Sequence, residues 1–186
     1  KLMVSSSLKK CVQLDQHIGC AMSGLVADAR TLVEHARLTT QNHWFNYSEQ
    51  IGVKATVQSV CDLAMRFGEK GQARPFGVSL LFAGVDQHGP SLYHTDPAGT
   101  FTKYLAKAIG AGSEGAQTSL QEQYHKSLTL KEAKKIGLEI LKQVMEEKLS
   151  AENVEMAEIT TNDKEFRFLS KDEIQQIVDT LDADLI

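Results

Sequence analysis

The chain has 186 residues, 42% of them apolar and 24% charged, with 20 Lys and Arg against 24 Asp and Glu for a formal charge of −4. That balance excludes a disordered chain, and the longest apolar stretches, such as Phe76–Val85, are about half the length needed to span a bilayer. Residues 1–145 hold 16 basic and 12 acidic side chains and residues 146–186 hold 4 and 12, so an acidic C-terminal end without any Lys/Arg-rich block argues against nucleic acid as the main partner.

One domain is the expected organisation at this length. Cys11–Leu14 and Ile18–Ser23 read as two strands, and the short Asp15-Gln16-His17 connection makes them antiparallel neighbours. From Asp28 the period changes. Ala29, Leu32, Val33 and Ala36 fall at i, i+3, i+4 and i+7, one face of a helix running to about Trp44, and Val57, Val60, Cys61 and Ala64 mark a second helix from about Thr56 to near Gly68.

Arg74-Pro75 breaks the chain, and Phe76–Val85 then reads as an apolar strand covered on both faces. After the turn formers Asp86–Pro90, Ser91–His94 and Phe101–Ile109 extend an antiparallel meander. Two helices follow, about Glu114–Tyr124 and Leu130–Leu149, the second opened by a Thr129–Glu132 capping box. Val154–Thr160 and Glu165–Leu169 form a hairpin, and a Ser170–Glu173 box starts the last helix, with Ile174, Ile177, Val178 and Leu181 on its buried stripe. Helix pairs set between strand groups point to antiparallel sheets flanked by helices rather than to a parallel α/β fold.

Candidate chemistry is sparse. Gly110–Gly115 satisfies GxGxxG between a strand and a helix, which suits a dinucleotide pyrophosphate, but no strand follows at the distance a ribose-binding acid requires. The same stretch approaches a nucleophile elbow, with Ala111 in place of its first glycine and no base identified for Ser113; the plain alternative is a tight turn with Ser113 capping the helix. The six histidines show no compact ligand spacing, so neither a metal nor a cofactor is expected. Asp86 and Asp96 read as turn formers, and Lys9 and Lys10 as a solvated pair. Cys11, Cys20 and Cys61 lack CxxC spacing and read as buried thiols of a reducing compartment, cytoplasm or nucleus.

The ordered strings say more. His17-Ile18-Gly19, Met22–Arg30, Arg74–Leu81, Asp96–Thr100 and Ala108–Ala116 resemble, in one colinear order, alpha-type subunits of the 20S proteasome. Thr40–Phe45, Tyr124–Ser127 and Leu141–Leu149 are most similar to the fifth alpha type. The resemblance implies an α+β, four-layer αββα sandwich of antiparallel sheets, the N-terminal-nucleophile hydrolase fold. It implies a single alpha-type domain over residues 1–186 whose N-terminal part, with the first strand pair and gating tail, is missing.

By the same resemblance the chain is a non-catalytic subunit of the outer heptameric ring, which gates substrate entry. Its partners are neighbouring alpha subunits, the beta ring and the tails of regulatory ATPases, with no nucleic acid and no membrane. Catalytic beta subunits use an N-terminal threonine; Lys1 stands here, Lys10 and Ser113 fall where such subunits have a lysine and a serine, and Ser150–Val154 stands in place of their D-x-x-S-G segment. No catalytic residue is therefore expected. In alpha subunits Lys10, Gly24 and Leu25 match the pocket that accepts activator tails. A hydrolase or nucleotide-binding enzyme using Gly110–Gly115 is the alternative.

Overall fold

Period-two burial dominates the middle of the chain: Val78, Leu80 and Phe82 are buried while Ser79, Leu81 and Ala83 are half-buried. That alternation places one face of a strand in a core. The computed structural model describes residues 9–66, 74–145 and 149–183. Its elements are β1 (Cys11–Asp15), β2 (Ile18–Gly24), α1 (Val26–Tyr47), α2 (Val53–Ala64), β3 (Val78–Asp86), β4 (Gly89–Thr95), β5 (Phe101–Tyr104), α3 (Ser113–Gln123), α4 (Leu130–Val144), β6 (Ala157–Ile159), β7 (Phe166–Phe168) and α5 (Lys171–Ala183). They divide between two compact units.

The first unit, Lys10–Leu105 with Glu158–Arg167, carries the expected meander, a five-stranded sheet in the order β1-β2-β3-β4-β5 with every pair antiparallel. Ala29, Leu32, Val33 and Ala36 of α1 are buried as the spacing predicts, and they share a core with Val53, Val57, Val60 and Cys61 of α2 and with Ile18, Cys20, Met22, Val78, Leu80 and Phe82 of the sheet. Burying one such aliphatic or aromatic side chain contributes about 1.5–3 kcal/mol.

Several expectations need correction. β3 is not covered equally on both faces. Helices line one face; on the other, the Phe166 ring lies so close over Gly19 that a Cβ there would overlap it, and the Phe166 N–H donates to the Gln16 carbonyl at 2.6 Å. The strand expected over Phe101–Ile109 stops at Tyr104. Continuing the Leu92–Tyr104 register would soon bring Pro90 opposite, and Pro90 has no N–H to donate, so Leu105 leaves the sheet and is 70% exposed.

α2 begins at Val53, three residues before the expected start. Gly52 offers it no side-chain cap, and the orphan Val53 N–H is met instead by Asp86 Oδ2 at 2.9 Å. Asp86 is thus more than a turn former: its Oδ1 accepts the His88 N–H while Oδ2 fixes a helix 33 residues away. The expected α2 end near Gly68 lies outside the described residues.

The second unit contains residues 106–157 and 168–183. Both expected capping boxes form. Thr129 N–H donates to Glu132 Oε2 and Glu132 N–H to Thr129 Oγ1, and Ser170 and Glu173 repeat the exchange. α4 ends at Val144, with Met145 extended, rather than reaching Leu149; Leu149 instead joins Leu138, Leu169, Ile174, Val178 and Leu181 in a second core. Strands β6 and β7, most of whose residues belong to the first unit, form the expected hairpin in shorter form. Antiparallel sheets with helices, an α+β class, are what the elements make.

Candidate functional site

The three residues singled out by resemblance lie where β2 passes into α1. Lys10 is exposed, and its carbonyl accepts the Met22 N–H at 2.9 Å, which sets Lys10 at the same end of the β1–β2 ladder as Gly24. Gly24 closes β2 with φ 125°, a conformation closed to most side chains, and an added Cβ would overlap the Gly77 carbonyl oxygen. Leu25 is the N-cap of α1, 54% exposed, and its N–H donates to Gly77 O at 2.8 Å.

Two residues absent from the expected set complete this corner. Asp28, in the first turn of α1, accepts Arg74 Nη1 on Oδ2 at 2.6 Å and Arg74 Nη2 on Oδ1 at 3.0 Å, a two-pronged pair. Asp28 Oδ2 also accepts the Gly77 N–H at 2.9 Å. The Arg74 hydrogen bonds, then the Gly77 N–H, hold the Asp28 carboxyl below its ordinary range, and Asp28 in turn raises Arg74. Arg74-Pro75 reads as a chain break and as the start of one resemblance string, and neither implies the pairing with Asp28 in the first turn of α1.

The Gly110–Gly115 turn is a different construction. Gly112, not Ser113, is the N-cap of α3, at φ 72°, and Ser113 is the first helical residue, its N–H donating to Gly110 O at 3.2 Å. The expected Ser113 cap is therefore corrected: Gly112 already occupies the cap position, and a Cβ there would overlap Val144 Cγ1. Beside the turn lies a cleft of about 280 Å³ lined by Lys107, Ser113, Glu114, Gln117, Thr118 and Gln121. No histidine is among these, and Glu114 puts a carboxylate in the first turn where a pyrophosphate would sit. Gln117 holds the preceding loop, its Oε1 accepting the Ala108 N–H at 3.1 Å.

The remaining candidates have structural partners. His17 is buried with Nε2 at 2.7 Å from the Ile51 carbonyl, while Nδ1 makes no hydrogen bond among the described residues and lies 3.8 Å from Asp15 Oδ2. Asp96 Oδ1 accepts the N–H groups of Ala98 and Thr100, an Asx turn. Lys9 Nζ lies 5.6 Å from the Phe168 ring centroid. Among the described residues no three His, Cys, Asp or Glu side chains gather as metal ligands, and no helix is long and apolar enough to cross a membrane. Burial pushes the Cys61 thiol up to about 12 and the Cys20 thiol further still, so both stay protonated; Cys11 is only half-buried, unlike the expectation.

The C-terminal end of α1 leaves Leu38, Trp44, Phe45 and Tyr47 exposed, Phe45 to 86%. The His43 ring lies tilted against Tyr47, centroids 4.8 Å apart and planes at 43°, and approaches Glu49 at 3.6 Å. Several large apolar side chains at one helix end are the mark of a surface that another protein covers.

Comparison with known proteins adds a family. A model described as "Proteasome subunit" matches residues 1–159. "Proteasome subunit alpha type-5" of Dictyostelium discoideum is 56% identical over 97% of this chain and 78% of its own length. The proteins of that name from Drosophila melanogaster and Caenorhabditis elegans are 51% and 50% identical, over 94% and 97% of this chain and 74% and 77% of theirs.

Proposed function

The chain belongs to the proteasome-subunit family, and on that premise we propose that it is a non-catalytic, alpha-type structural subunit of the 20S core particle. It joins neighbouring alpha subunits in the outer heptameric ring, rests on the beta ring, gates substrate entry to the proteolytic chamber in ubiquitin-dependent degradation, and receives the tails of regulatory ATPases. Cytoplasm and nucleus are the compartments that accompany this role. The observation that carries the reading is 56% identity with an alpha type-5 protein along 97% of the chain.

Two features support it. The exposed aromatic end of α1 suits burial against another subunit. The segment standing in place of the catalytic D-x-x-S-G string is a self-bonded turn, with the Ser150 N–H donating to Asn153 Oδ1 at 2.9 Å. The cleft beside Ser113 gives the enzymatic alternative little support, because its lining holds no histidine to form the Ser-His pair of a nucleophile elbow.

Lys10, Gly24 and Leu25 form the tail-docking corner. An ammonium is a compact charge suited to a terminal carboxylate, Gly24 admits close backbone approach, and Leu25 offers apolar contact. A tail peptide, as free acid and as C-terminal amide, is titrated into assembled rings carrying wild-type chain or Lys10→Ala. Loss of the charged hydrogen bond weakens the free acid about 10- to 100-fold. Equal affinity in all four combinations would remove Lys10 from docking, and failure of the tagged chain to co-purify with proteasome subunits would overturn the wider reading.

A further inference from the structure

We infer that Asp28 and Arg74 are positioning residues for tail docking: through Gly77 they fix the backbone and side-chain orientation of Leu25, which the tail contacts. The inference rests on the docking reading above and assigns roles to residues outside the docking set.

Gly77 is the link. Its carbonyl accepts the Leu25 N–H at 2.8 Å and its own N–H donates to Asp28 Oδ2 at 2.9 Å, so one peptide segment is tied to α1 from both sides. Its missing side chain matters as well, because a Cβ on Gly77 would stand 2.8 Å from Leu25 Cδ1. The Leu25 side chain therefore lies against Gly77, and any shift of Gly77 moves it. Gly77 is in turn set by the Asp28–Arg74 pair, with Arg74 Nη1 also donating to the Pro75 carbonyl at 2.9 Å. Guanidinium, Pro75 carbonyl, Asp28 carboxylate and Gly77 N–H form one closed set of hydrogen bonds around the 74–77 segment.

The placement of the pair separates orientation from stability. The Asp28 side chain is 13% exposed and that of Arg74 61%, so solvent screens the attraction and the pair contributes little to folding. What it supplies is planar, two-pronged geometry, which a lysine does not reproduce. A residue kept only for stability would lower the melting temperature and tail affinity together; a positioning residue lowers affinity first.

The experiment uses assembled core particles carrying wild-type chain, Lys10→Ala, Asp28→Asn, Arg74→Gln or Arg74→Lys. The last keeps the charge and loses the fork, which covers a failure of Arg74→Gln to assemble. The probe is a synthetic peptide with the sequence of a regulatory ATPase tail and a free C-terminal carboxylate. Asp28→Asn and both Arg74 variants are expected to weaken binding about 3- to 10-fold, within the lower part of the range for coupled neighbours. Amide exchange at Leu25 should quicken, with particle melting held within about 2 °C. If Lys10→Ala weakens binding while the Asp28 and Arg74 variants bind as wild type, the positioning role is overturned and docking survives. Equal loss of affinity and melting temperature would also overturn it, reducing the pair to a stability element. No effect of Lys10→Ala would sink the docking reading, and this inference with it.

Discussion

The entry to α1 and the entry to α3 are both glycine-bearing turns into a helix, yet they are built in opposite ways. At α3 the GxGxxG string supplies a left-handed Gly112 and short-range bonds, and the cleft beside it collects side chains without a shared task. At α1 the local sequence matches no short chemical motif, and the corner is assembled by residues 46 to 49 positions away, Arg74 and Gly77 closing on Asp28. A motif that can be matched within six residues is constrained chiefly by its own turn; a corner held from a distance records what the whole sheet must place there.

Substitutions at the two corners test that contrast. The largest effect is expected from Gly24→Ala: a side chain at φ 125° and an overlap with the Gly77 carbonyl should cost about 2–4 kcal/mol, read as a shift in urea midpoint at constant slope. At the other turn Gly112→Ala should cost less, about 1–2 kcal/mol, because the left-handed penalty remains but the obstacle is the rotatable end of Val144. Equal costs would mean that the α3 turn is as tightly held as the α1 corner. Gly115→Ala, in a helical position open to solvent, should stabilise by up to about 1 kcal/mol in the same assay.

Acid separates the corners further. Asp28 has a folded pKa below its unfolded value of about 3.9, so its contribution is complete above that value and is lost as pH falls through the lower folded pKa. The gap in melting temperature between wild type and Asp28→Asn, no more than about 2 °C at neutral pH, should therefore close as pH falls below about 4. A constant gap would show that the carboxylate's charge is not what the corner uses. The smallest effect belongs to Ser113→Ala. Ser113 caps nothing, so a change within about 0.5 kcal/mol is expected, and a loss near 1 kcal/mol would restore it as a cap.

Local rules made much of the fold readable. The Thr129 and Ser170 boxes, the stripe Ala29–Ala36 and the hairpin at Asp15–His17 each lie within a few residues and formed as read. Where the deciding partner was remote, reading stopped short. The start of α2 depends on Asp86, the end of β5 on Pro90, and the cover over β2 on Phe166, none of which neighbours the element it governs. The docking corner followed the same division. Lys10, Gly24 and Leu25 were reachable only through resemblance, since nothing in their spacing implies a carboxylate. Asp28 and Arg74, 46 residues apart, were not reached at all.

The Phe166 ring over Gly19 carries a consequence for descent. A socket that leaves a carbon no room while the ring stays in place makes two distant positions hereditary partners: enlarging residue 19 requires the ring at 166 to swing away or to shrink. Shrinking residue 166 first is the easier order, because the reverse forces an added Cβ against the aromatic ring. Among relatives, chains with alanine or serine at the equivalent of 19 should carry a small side chain opposite, and the intermediate with both positions small should occur more often than the one with both large.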